Sequence, residues 1–93
     1  MKTFAEARED IMSGLAADGW EMKRDLKVPH ATSPDPARTY RSNERWRLWF
    51  KPQAVYLGRG DQSLAEARSL HLPDIRALDY AGFKWHLNRW IQG

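Results

Sequence analysis

Seven side chains between positions 38 and 51 combine the two types that a phosphate-bearing ligand requires. Arg38, Arg41, Arg45, Arg47 and Lys51 supply cationic donors, and Tyr40 and Trp49 supply flat aromatic faces. Multiple cations along one surface can neutralise successive phosphates, while rings between them can stack on bases or other planar groups. The alternative reading of the same residues is a solvated sheet face whose arginines lie over tryptophan through cation–π contacts.

Other combinations carry less chemistry. His30, Ser33 and Asp35 include the types of a nucleophilic triad, but a proline-rich stretch does not give them the fixed geometry that a triad needs. Gly58-Arg59-Gly60-Asp61 resembles an anion-holding loop only loosely, lacks the lysine and spacing of a phosphate loop, and reads as a plain turn. His71 and His86 are too far apart in sequence to share a helical metal face, and no histidine has a ligand partner at metal spacing. The expectation is therefore a non-catalytic binding module with no metal and no cofactor, the alternative being a small protein-interaction or regulatory module that acts through its C-terminal helix.

Composition narrows the choice of partner. The 93 residues carry a net charge of +3, but that charge is unevenly distributed. Residues 1–22 hold two basic against five acidic groups, residues 23–59 nine against three, and residues 60–93 four of each. The positive excess lies in the segment that contains the aromatic cluster, which favours an acidic partner, either nucleic acid or an acidic protein. With no cysteine there is no disulfide or thiolate site, and a reducing, cytoplasmic setting is expected. The charged opening residues lack the apolar run of a signal peptide. No stretch approaches the roughly 18 apolar residues of a membrane span, so no membrane association is expected.

These residues must be positioned by a small fold. Thr3 and Glu6 have the form of a capping box, and Phe4, Ala7, Ile11 and Leu15 follow at helical spacing until Gly19. Gly14 weakens that helix by about 1 kcal/mol relative to alanine, which marks close contact with another element. From Trp20 the period becomes two, with Trp20, Met22, Leu26 and Val28 on one face. Residues 29–44 contain three prolines and little apolar content, and read as a long irregular loop. Trp46, Leu48 and Phe50 then alternate with Arg45, Arg47, Trp49 and Lys51, as a half-buried strand should. Beyond Pro52 the apolar parity changes, so either a bulge or a tight turn must follow Lys51. Ser63 and Glu66 form a second capping box that opens a short helix through Leu70.

The last segment is apolar on two sides, with Ile75, Leu78, Gly82 and Trp85 on one and Tyr80, Phe83, Leu87, Trp90 and Ile91 on the other. Either the helix breaks at Gly82, with Asp79 as a competing cap, or it is buried on both sides, or Tyr80, Phe83, Leu87 and Trp90 form an interface that makes a homodimer. The expected architecture is a single two-layer α+β domain over residues 1–93. It has an N-terminal helix, an antiparallel sheet of two or three strands, and a short helix and C-terminal helix packed on one sheet face. This element order resembles that of a double-stranded-RNA-binding domain. The lysine-rich start of the final helix in that family is replaced here by the charge-balanced Leu72-Pro73-Asp74-Ile75-Arg76, and the family is not assigned.

Overall fold

Helix α1 (Phe4–Ala17) begins where the sequence places it, and both halves of its capping box form. Glu6 N donates to Thr3 Oγ1 at 3.1 Å, and Thr3 N donates to Glu6 Oε1 at 3.1 Å. Gly19, at φ +93°, turns the chain out of the helix, and Trp20 N donates back to Leu15 O. Ala7, Ile11, Met12 and Leu15 are the buried stripe. The computed structural model of the protein describes residues 2–36, 45–60 and 62–92.

Five strands follow where two or three were expected: β1 (Glu21–Lys23), β2 (His30–Pro36), β3 (Arg45–Phe50), β4 (Val55–Arg59) and β5 (Arg68–Ser69). They form one antiparallel sheet in sequence order, each strand beside the one before it. The largest departure is β2, which occupies residues read as loop and separates the two strands that sequence alone makes neighbours. Its prolines obscure it. Pairing with β1 stops at Glu21 opposite Thr32, so Pro34 and Pro36 lie where no donor toward β1 is needed. On the other side the register slips between Thr32 and Pro36, four residues of β2 running past two of β3. Ser33 Oγ closes this irregularity by accepting from Trp46 N at 2.9 Å.

Two further corrections follow, and one open alternative is resolved. Strand β1 ends at Lys23, so Leu26 sits in a bend and is 49% exposed rather than facing the core. The short helix from Ser63 is a single turn. Glu66 Oε1 accepts from Ser63 N, one half of a capping box, but Ser63 Oγ also donates to Glu66 Oε1 instead of accepting from Glu66 N, and the chain extends into β5 two residues later. The parity change at Pro52 is a turn, closed by Lys51 N donating to Ala54 O at 2.9 Å.

The two-sided C-terminal pattern is resolved by a break at Leu78–Asp79 and not at Gly82, which lies inside the final helix. Ile75–Ala77 form a short 3-10 turn, and helix α2 (Tyr80–Gln92) starts afresh with Gly82 N donating to Asp79 Oδ1 at 2.7 Å. Ile75 and Phe83 can thus both enter one core although their helical phases conflict. That core joins α1, Leu48, Phe50, Val55 and Leu57 of the sheet, Leu70, Ile75, Phe83 and Leu87, so both helices cover the same face. Phe83 is fully buried and Leu87 is 3% exposed, while Tyr80 and Trp90 pack against the cluster. The face expected to meet a second copy of the chain is therefore turned into its own core. None of the described helices is long and apolar enough to cross a membrane.

Candidate nucleic-acid interface

Because side chains alternate along a strand and cross-strand partners share a face, the register defines what lies opposite the core. One row crosses all five strands as Lys23, His30, Trp49, Tyr56 and Ser69. The adjacent row is Glu21, Thr32, Arg47 and Gly58. Three rings therefore stand on three neighbouring strands, with Lys23 and Arg47 beside them and Lys51 at the turn.

The rings form a floor for these cations. The centroids of His30 and Trp49 are 6.4 Å apart at an interplanar angle of 62°. Arg47 Cζ lies 5.8 Å from the Trp49 ring centroid, and Lys51 Nζ lies 4.9 Å from that of Tyr56. Gly58 opposite Arg47 lets the indole lie flat, since a Cβ there would stand 2.7 Å from Trp49 Cζ3. Trp49 is only 6% exposed, which corrects the stacking role read from its sequence position: its ring supports the face and is not offered to a ligand.

The other expected binding residues divide. Arg47 Nε is buried with no hydrogen-bond partner among the described residues. Lys23, Arg47 and Lys51 have no carboxylate partner among the described residues. Arg45 is a strut, its guanidinium donating to Ser33 O at 2.9 Å and also to Pro34 O, and so holding the irregular end of β2. Arg38, Tyr40 and Arg41 lie outside the described residues. Lys23, His30 and Tyr56 are additions from the register. Tyr56 was legible as the residue between inward Val55 and Leu57, whereas His30 was hidden with β2.

The local field is positive. His30 is held below the ordinary imidazole pKa, first by its partial burial and then by Arg47 and Lys23. Glu21 is the acid on this face, at the outer end of the neighbouring row. Of the triad types, Ser33 is 5% exposed and its hydroxyl accepts from Trp46 N, and His30 joins the ring row. No three His, Asp or Glu side chains gather among the described residues as a metal ion would need.

A separate cleft of about 720 Å³ opens where α1 ends beside α2, between Trp20, Trp46 and Ile91. Its charged groups pair with each other. Asp18 Oδ2 accepts from Tyr80 Oη at 2.5 Å and from Lys84 Nζ at 3.0 Å, which lowers the Asp18 pKa and helps burial to raise that of Tyr80. Gly14 brings the two helices together here, because a Cβ at that position would fall 2.3 Å from Tyr80 Cγ. Comparison of the chain with protein-family models, curated proteins and solved structures finds no match.

Proposed function

We propose that the chain is a non-catalytic binding module that engages an acidic partner, nucleic acid, through the outer face of its sheet. The observation that carries this reading is the grouping of Lys23, Arg47 and Lys51 on one face, without carboxylate partners among the described residues. Cations not already paired with carboxylates keep donors for charge-assisted hydrogen bonds to phosphate oxygens. Since Trp49 is buried and Lys51 lies over Tyr56, contact runs through the phosphate backbone with little stacking on bases. Sequence preference is accordingly weak.

Three phosphate contacts give an association constant that falls with salt at a log–log slope of about −2 to −3. The test titrates labelled single- and double-stranded DNA and RNA at low salt, with wild type beside a Lys23/Arg47/Lys51 triple alanine variant. Binding with that slope, lost in the variant, is expected, together with a rise in the His30 pKa on complex formation as phosphates offset Arg47 and Lys23. Equal binding by the variant, or none by wild type, rejects the outer face as a nucleic-acid site.

A further inference from the structure

The C-terminal third is charge-balanced in sequence but not in space. Its described acids are engaged locally: Glu66 accepts from Ser63, Asp74 pairs with Arg76 at 2.5 Å, and Asp79 caps α2. Lys84 pairs with Asp18 of α1. Arg68 and Arg89 are left with no carboxylate partner among the described residues.

Both arginines line one pocket of about 470 Å³ between β5 and α2, with His71, His86 and Trp90. Its volume falls in the range of small-ligand sites. Arg68 Cζ sits 5.9 Å from the Trp90 centroid and His71 5.9 Å from it, while Arg89 Cζ lies 4.9 Å from the Trp85 centroid. A guanidinium held over a ring uses its flat face, so its in-plane N–H groups stay open for a bidentate acceptor. Trp85 also meets the edge of His86 at 4.8 Å, yet is 55% exposed. Trp85 does not itself line the pocket but stands at its rim through Arg89 and His86, and the side of its ring away from Arg89 is a platform for a planar group joined to an anion.

We infer that this pocket binds a mononucleotide, its phosphate between Arg68 and Arg89 with the histidines around it, and its base on the open side of Trp85. The site is built from Arg68 of β5, His71 just beyond that strand and residues of α2, and is independent of the outer sheet face.

The test compares AMP, adenosine and inorganic phosphate on the intact chain, reading histidine ring resonances by NMR and tryptophan emission. AMP is expected to move the His71 and His86 signals and to quench emission in wild type but not in Trp85→Phe with the same strength. Arg68→Gln with Arg89→Gln should weaken AMP by at least about tenfold, since two charged hydrogen-bond donors are removed. Both arginines are exposed, and unchanged circular dichroism establishes that the variant is folded. Phosphate alone should move the histidines and leave Trp85 emission unchanged. Undiminished AMP affinity in the double variant, adenosine binding as well as AMP, or no response to millimolar AMP would each overturn the inference. So would AMP binding that is kept in the Arg68/Arg89 variant and lost in the Lys23/Arg47/Lys51 variant, which would place the nucleotide on the outer face instead.

Discussion

Strand β3 has two faces, and both are buried at its C-terminal end by different chemistry. Inward, Leu48 and Phe50 are 0% and 1% exposed within an aliphatic cluster under two helices. Outward, Trp49 is 6% exposed among His30, Arg47 and Gly58, with no described helix over it. The inner face depends on shape and volume. The outer face combines a buried ring with cations, so it contributes both packing and positive field. Burial on a sheet face therefore does not by itself distinguish structural from binding surface, and the residue types around the buried ring do.

The strongest challenge to this comparison is truncation on each side. Phe50→Ala should cost about 3–5 kcal/mol and Leu48→Ala about 2–5 kcal/mol, through lost burial and residual cavity. Trp49→Ala should fall in the Phe50 range, about 3–5 kcal/mol, if the outer ring is a true second layer of packing. Urea denaturation of the three variants decides it. A surface-like loss at Trp49 would reduce the outer face to a decorated surface.

Next in size are the two glycines that admit rings, one on each side. An added methyl at Gly14 meets the Tyr80 ring at 2.3–2.5 Å, and one at Gly58 meets Trp49 at 2.7–3.0 Å. Alanine at either site should destabilise by about 1–3 kcal/mol, as overpacking does. At Gly14 this loss must exceed the gain of about 1 kcal/mol in helix propensity. Thermal melts that show Gly14→Ala to be stabilised would mean that the helices separate easily at this contact.

The smallest effect is confined to the outer face. The His30 pKa is lowered in the folded protein, so the unfolded chain takes up the proton first as pH falls below about 6.5. The contribution of neutral His30 is complete above that value and declines as pH falls toward the folded pKa. Glu6, Asp18 and Asp74 are shifted down from the carboxylate range and titrate below this window. Urea midpoints between about pH 5 and pH 8 should therefore slope less in His30→Gln than in wild type. Identical slopes would show that neither burial nor Arg47 and Lys23 lower the His30 pKa as described.

Much of the inner face was legible in sequence because its signals are local. The capping box at Thr3, the glycine beyond α1, the alternation of β3, the close approach at Gly14 and the competing cap at Asp79 are each read from a few adjacent residues. Strand β2 was not legible, because Pro34 and Pro36 argue against a strand unless one knows that β1 has already ended beside them. The two-residue β5 is shorter than any periodicity can register. Of the outer site, Arg47 and Lys51 were legible from parity. Sequence could not separate Arg45 as a strut from Arg47, since that depends on the carbonyls of β2. The pocket of Arg68 and Arg89 depends on where the acids around them are engaged, a property of the folded chain alone.

The two margins of the sheet have a consequence of their own. Strand β1 is three residues long and β5 two, and where β2 runs on past β1 it carries Pro34 and Pro36, which have no N–H to donate. An added strand would find only a short row of hydrogen-bonding groups on either side, and neither margin makes a good template for fibril growth or for capture of an extended peptide. The described sheet is open in topology yet poorly extensible, and the surfaces proposed for recognition are its outer plane and the corner beside α2.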